Sequence, residues 1–304
     1  MGFKTHIIRL SVTLLLASNL VSQAAETPET ILIRQTLSTD LSGHRRGDAE
    51  LVLSAYDEHF AAYSGNNSSD PRVWQIRFES RLSFAASLER DLQAHRYDTE
   101  RTVPKIQVRG NVATATTIDS GQVIDRQSGD VKPLYEERFW TLLKREDRWL
   151  VTSFVANLGD KSSALDTATN TEVQALLEQE KTARENGDQS GLISLYAEHF
   201  SGYDGLYSLD PASWKLIFSG TQEFEKYLAK RSPNVTYQIN RQLLSTQIGP
   251  EGLEALAIGR EAVTVTHKRG NAEHSLQRDV MWTLSKRDGD WKITNMLYNL
   301  GQTE

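Results

Sequence analysis

The chain has 304 residues, with 34 Lys and Arg against 40 Asp and Glu, a formal net charge of −6 and no cysteine. An acidic chain without a clustered basic face excludes a reader of phosphate backbones, so nucleic acid is not an expected partner. The absence of cysteine excludes disulfides, thiolate nucleophiles and Cys-ligated zinc, and leaves stability to packing alone.

The first 24 residues read as a secretory signal peptide. Lys4, His6 and Arg9 precede an apolar stretch from Leu10 to Leu20, and Ser22 and Ala24 fit the small positions before a cut after Ala24. Ser11, Thr13, Ser18 and Asn19 interrupt that stretch, which falls short of the ~20 residues a membrane span needs. Lys4 and Arg9 are its only formally charged side chains, so 32 basic residues face 40 acidic ones after cleavage, a net charge of −8. An exported, cysteine-free chain of this kind is expected in a bacterial periplasm, with no membrane span once processed.

The remainder is written twice. Tyr56-Asp57-Glu58-His59-Phe60 recurs as Tyr196-Ala197-Glu198-His199-Phe200, and Asp70-Pro71-Arg72-Val73-Trp74 as Asp210-Pro211-Ala212-Ser213-Trp214, both offset by 140 residues. Trp140 to Gly159 recurs as Trp282 to Gly301 with an offset of 142, which fits two extra residues in the first strand turn of the second copy. All six tryptophans fall into pairs across the copies. The implied plan is a domain over 25–159, a polar linker over 160–170 and a second domain over 171–304.

Each copy opens with a helical period, Ile31, Leu32, Leu37 and Leu41 in the first and Val173, Leu176, Leu177 and Glu180 in the second, closed by Gly47-Asp48 and Gly187-Asp188. A short second helix is predicted over Leu51 to Tyr56 and Leu192 to Tyr196, running into a strand. Asp70-Pro71 and Asp210-Pro211 predict a third helix, with Asp as the cap and Pro in the first turn. Strand signals follow over Ile106 to Val108, Val112 to Ile124, Tyr135 to Lys144 and Trp149 to Asn157, separated by turns such as Arg109-Gly110-Asn111 and, in the second copy, Gly249-Pro250-Glu251-Gly252. Helices first and then an antiparallel meander make an α+β layer fold.

That order of elements, with Asp288-Gly289-Asp290-Trp291-Lys292-Ile293-Thr294 closing the second copy and Glu146-Asp147-Arg148-Trp149-Leu150-Val151-Thr152 its weaker twin, resembles the NTF2-like superfamily of SnoaL type. The resemblance covers nearly the whole processed chain and implies two tandem cone-shaped domains, each with about three helices on a curved antiparallel sheet. It implies a range of roles, from isomerases, dehydratases and hydrolases to non-catalytic binding modules. The layout also resembles domains found beside bacterial L,D-transpeptidases, although no transpeptidase cysteine is present. Domains of this type pair through their sheets, so an internal pseudo-dimer and a monomeric chain are expected.

Candidate site residues come in pairs. His59 and His199 suit a general base near Tyr63 and Tyr203, or more plainly a histidine at a helix C-terminus, where the macrodipole favours it. Asp119 shares a strand face with Ala113, Ala115 and Val123, and Glu261 with Ala255, Ala257 and Val265. An apolar setting raises a carboxyl pKa, which makes these two the best general-base candidates; the alternative is an acid that reaches solvent at a bulge or strand end. Trp74 and Trp214, placed near the start of the third helix, are expected to line the mouth of each cone with Tyr63 and Tyr203 as a ligand site. His267 and His274 face each other across a predicted hairpin without a third ligand, so no metal site is expected, and no cofactor is implied.

With no nucleophile and no acid–base dyad, the favoured reading is a periplasmic, non-catalytic module that binds a small molecule, cell-wall material or a protein partner. The other reading is a cone-pocket enzyme using Asp119 or Glu261. Positions where the copies differ, such as Arg77 against Ile217, Arg81 against Thr221 and Thr117 against Gly259, point to one copy that binds while the other supports.

Overall fold

A computed structural model of the protein describes residues 26–159, 171–231, 234–268, 270 and 272–301; the expected signal peptide over 1–24 and the expected linker over 160–170 lie outside the described residues. The first repeat runs α1 (Pro28–Arg46), α2 (Ala49–Leu53), β1 (Tyr56–Ser64), β2 (Gln75–Phe78), α3 (Arg81–Ala94), β3 (His95–Arg109), β4 (Val112–Asp125), β5 (Val131–Arg145) and β6 (Arg148–Ala156). The second runs α4 (Thr171–Asn186), α5 (Gln189–Ser194), β7 (Tyr196–Ser208), β8 (Lys215–Ser219), α6 (Thr221–Arg231), β9 (Val235–Ile248), β10 (Glu254–His267), β11 (Glu273–Arg287) and β12 (Asp290–Leu300).

The Gly-Asp punctuation acts as predicted. Gly47 caps α1 in the left-handed region at φ 70, and Gly187 does the same for α4 at φ 67, where a side chain would be strained. The next residue caps the following helix: Asp48 accepts from the Leu51 amide and Asp188 from the Gly191 amide, both at 2.9 Å. The Asp-Pro pairs behave differently. Asp70 and Asp210 cap only a single 3-10 turn, ended when Trp74 and Trp214 turn extended. The third helix begins instead at Arg81 and Thr221, and in the first repeat Ser80 and Ser83 close its start as a reciprocal capping box.

Each sheet has six strands, ordered β2-β1-β6-β5-β4-β3 and β8-β7-β12-β11-β10-β9. The predicted meander is present, but β1 and β7 lie parallel to β6 and β12, so the sheets are mixed. The third strand is far longer than the predicted Ile106 to Val108, because its alternating charged residues hide its period. In each repeat the helices cover one sheet face. Ile33, Leu37, Phe60, Phe84, Trp140 and Val151 build the core between them in the first repeat, and Leu177, Phe200, Phe224 and Trp282 in the second. Each repeat has the expected α+β layout, a cone with its helices over one sheet face. No helix among the described residues is long and apolar enough to cross a membrane.

The other faces of the two sheets pack on each other. Tyr63, Phe139, Leu143, Tyr203, Leu256, Ile258 and Met281 form this shared core, with Trp74 and Trp214 facing each other across it at 5.9 Å between ring centroids. Plain alternation along β5 sends Trp140 and Leu142 inward while Phe139 and Leu143 serve the joint. Lys105 Nζ donates to the Ala212 carbonyl at 2.5 Å and Gln107 Nε2 to that of Trp214 at 2.7 Å.

The two extra residues of the second copy have a use at this joint. They form the turn between β9 and β10 into which Glu79 of the first repeat inserts, accepting from the backbone amides of Glu251, Leu253 at 2.5 Å and Glu254 at 2.8 Å. Only glycine fits beneath it, since a Cβ at Gly249 would fall 2.2 Å from the Glu79 side chain. At the pseudo-equivalent contact the carboxylate is replaced by Ser219, over Gly110. Hydrogen bonds to a buried charge contribute roughly 1.5–3 kcal/mol each. Glu79→Ala is expected to lower the unfolding free energy by about 3 kcal/mol, read from urea denaturation, whereas an unchanged midpoint would contradict this role.

Candidate functional site

Both cones are closed at their floor by a buried arginine. Arg101 on β3 donates through Nη1 to the Leu37 carbonyl and to Asp40 Oδ2, both at 2.8 Å, and through Nε and Nη2 to the two oxygens of Asp119 at 2.6 and 2.7 Å. Its guanidinium lies 4.8 Å from the centroid of Trp140. In the second repeat Arg241 on β9 reaches the Leu177 carbonyl at 2.5 Å, Glu180 at 2.6 Å and Glu261 at 2.9 Å, 4.6 Å from Trp282. Tyr56 donates to Asp40 at 2.7 Å and Tyr196 to Glu180 at 2.9 Å. Buried charges persist only when paired in this way.

This geometry corrects the expectation for Asp119 and Glu261. Both are buried inside their cones, but the setting is ionic, not apolar. Burial pushes Glu261 up, yet Arg241, Arg184 and Arg278 outweigh it and hold the carboxyl at about 2. Asp40 is held at about 2 against its own burial by His44, Arg101 and Arg138. A carboxyl lowered by folding stabilises the protein above its unfolded pKa of about 4 and loses that contribution as pH falls toward 2. Its oxygens are already engaged by guanidinium N–H groups, which leaves a poor general base.

The clusters around this shared clamp have diverged. His44, Glu136, Arg138 and Ala156 of the first repeat correspond to Arg184, Arg278, Val280 and Tyr298 of the second. The first cluster therefore sets Asp40, Asp119 and Glu136 against Arg101 and Arg138, while the second sets Glu180 and Glu261 against Arg184, Arg241 and Arg278. The cavities differ too. Phe154 packs among Tyr56, Phe60, Phe84 and Trp140 and leaves about 260 Å³ in the first cone. The second, with Met296 at that position, holds about 720 Å³ lined by Phe218, Phe224, Val263, Leu276, Arg278 and Tyr298. The differing pair Arg77 and Ile217 does line these two cavities. Thr117 accepts from Trp140 Nε1 at 2.9 Å, and its replacement by Gly259 leaves the buried Trp282 Nε1 without a partner.

The remaining candidates lie elsewhere. Trp74 and Trp214 meet at a tilt in the joint between the sheets and do not line a cone mouth, because the 3-10 turn and not a helix sets their direction. Tyr63 and Tyr203 share that joint, on the strand face opposite Phe60 and Phe200. His59 and His199 are on strands, since the short helices end at Leu53 and Ser194; they are half-exposed, 3.5 and 4.0 Å from the neighbouring glutamates. The two histidines and Tyr63 line one inter-repeat cleft of about 430 Å³, together with Asp57, Arg145 and Glu254. Burial pushes Glu254 up to about 8 despite Arg287 at 3.0 Å. His274 pairs in register with Val265, not with His267. Among the described residues no group of three or more His, Asp or Glu is gathered for a metal ion.

Arg101, Arg241, Arg184, Arg278 and Tyr298 were not singled out by the sequence reading. One signal was present: Asp40 and Glu180, which correspond at the 140-residue offset, each fall on the buried stripe of their helix, with Leu37 and with Leu177. An acid on a buried stripe in both copies calls for a buried cation.

No protein-family model matches the sequence, and no curated protein matches it. Solved structures are similar to part of the chain. A ketosteroid isomerase-like protein from Erwinia carotovora atroseptica has 15% identity over 46% of this chain and 100% of that one, with a TM-score of 0.37. An NTF2-like protein of unknown function from Shewanella oneidensis has 16% identity over 42% and 98%, with a TM-score of 0.33. Aln2 from a Streptomyces species has 14% identity over 44% and 93%, with a TM-score of 0.36.

One further asymmetry marks the second cone. Asn66 and Asn67 of the first repeat adopt left-handed φ values of 53 and 61, and the corresponding residues, Leu206 and Tyr207, do so at 52 and 58. Asparagine tolerates this region, whereas other side chains lose roughly 1–2 kcal/mol. Both residues are exposed, and Tyr207 lines the cavity. Strain of this kind gathers at functional sites. Replacing both by Asn is expected to raise stability by about 1 kcal/mol in a denaturant titration; a loss of stability would show that the pair is held for packing instead.

Proposed function

We propose that the protein is an exported, non-catalytic binding module in which the cone of the second repeat takes a small molecule and the first repeat supports it. The observation that carries this is the difference between the cones: about 720 Å³ against about 260 Å³ on the same frame. Apolar walls with a few placed polar groups are the usual form of a small-molecule site. Catalysis by a cone carboxylate finds less support, because Asp119 and Glu261 are both engaged by arginines. The signal-like N-terminus supports export to the periplasm. The resemblance to transpeptidase-associated domains supports an accessory role at the cell envelope, with cell-wall fragments among the ligands to try.

A thermal-shift screen of the processed protein against peptidoglycan fragments and small organic acids tests the binding role. At least one compound is expected to raise Tm, and Val265→Trp, which narrows the second cone from its half-buried wall, is expected to abolish the shift. A shift that survives Val265→Trp but vanishes on blocking the inter-repeat cleft would move the site there.

A further inference from the structure

The charge at the floor of the second cone carries a more specific statement, which rests on the binding role proposed for that cone. Three guanidiniums, Arg184, Arg241 and Arg278, meet two carboxylates, Glu180 and Glu261, in a buried cluster. Arg241 is spent on the clamp and does not line the cavity. Arg184 and Arg278 do line it, both beside Tyr298: Arg278 lies 4.4 Å from its ring centroid and Arg184 5.7 Å, with Arg184 Nη2 3.3 Å from the hydroxyl. Arg278 uses Nε and Nη2 on a single oxygen, Glu261 Oε2, at 3.0 and 2.7 Å, so only one edge of its fork is spent.

Toward the rim the sign persists. Arg109, Lys226 and Lys230 line the mouth against Asp204 and Glu223, with Arg109 paired to Glu223 at 2.7 Å and Asp204 accepting from Asn299 at 3.0 Å. The first cone lacks this excess, with Glu136 where Arg278 stands and His44 where Arg184 stands. A buried excess of one positive charge is costly unless an anion completes it. The wall between floor and mouth is apolar, from Phe218, Phe224, Val263 and Leu276.

We propose that the second cone binds a small organic anion with an apolar body, its acid group held by Arg278 and Arg184 and its body against Phe218, Phe224 and Leu276. The first cone, with its smaller space and no cationic excess, rejects the same ligand. Arginine suits the task because its planar fork offers paired donors to an acid group while its face stacks on an aromatic ring.

Two fluorescent probes with the same ring body separate the charge from the cavity: 1-anilinonaphthalene-8-sulfonate, an anion, and N-phenyl-1-naphthylamine, which is neutral. Arg278→Met keeps Glu261 paired to Arg241 and is expected to weaken the sulfonate roughly tenfold, the scale of one charge-assisted hydrogen bond, while changing the amine less than about threefold. Equal changes for both probes, or none for the sulfonate, would overturn the anion preference and leave the cone as a neutral pocket. Neither probe binding the native protein, or both binding unaffected by Val265→Trp, would overturn the cone as the site and the preference with it. Near-ultraviolet circular dichroism checks that each variant is folded. Should Arg278→Met fail that check, Leu276→Glu on the half-buried wall carries the same comparison, with the sulfonate again expected to suffer more than the amine.

Discussion

The arginine that ties the first helix of each repeat to its sheet is the interaction on which the rest of the molecule depends. Arg101 and Arg241 each bind a helix carbonyl, a helix carboxylate and a strand carboxylate from beneath a fully buried tryptophan. No solvent reaches the group to compensate a lost partner, so removal of any one member leaves a charge stranded in the core. The helix is thereby fixed at one height over the sheet, and the cone exists because that height is fixed. The same arrangement turns the two strand carboxylates from bases into anchors.

Duplication allowed this frame to be kept while its surroundings changed. The positions beside the clamp carry His, Glu, Arg and Ala in one copy and Arg, Arg, Val and Tyr in the other, which gives only the second floor an excess of arginine over carboxylate. The joint between the repeats diverged in the same manner. A carboxylate, Glu79, grips a lengthened turn on one side, and Ser219 over Gly110 takes its place on the other. Each asymmetry is small in sequence and large in effect because it falls in a buried place, where an unpaired charge costs several kcal/mol. The outcome is one narrow cone beside one wide cone.

The sequence made the duplication, the helix caps and the meander legible because all three are local: a recurring string, a Gly-Asp pair, a turn. Asp70-Pro71 misled because capping chemistry is the same for a single 3-10 turn as for a helix, and the apolar stripe of Phe84, Leu88 and Leu92 that marks the real helix begins thirteen residues after Pro71. Asp119 and Glu261 misled for a different reason. The residues on their own strand are apolar, but their partners, Arg101 and Arg241, come from the adjacent strand and depend on its register. Long-range ionic pairing leaves no periodic trace in a single chain. The pair Arg77 and Ile217, noticed only as a difference between copies, did mark the two cavities.

One cone of the two, on the proposal above, holds an anion at its arginine floor. A crystal structure of the protein with 1-anilinonaphthalene-8-sulfonate bound tests this most directly. The sulfonate is expected about 3 Å from the Arg278 guanidinium, with the rings against Phe218 and Phe224 and the first cone empty. A ligand seated in the first cone or in the cleft between the repeats, with the second cone vacant, would contradict it.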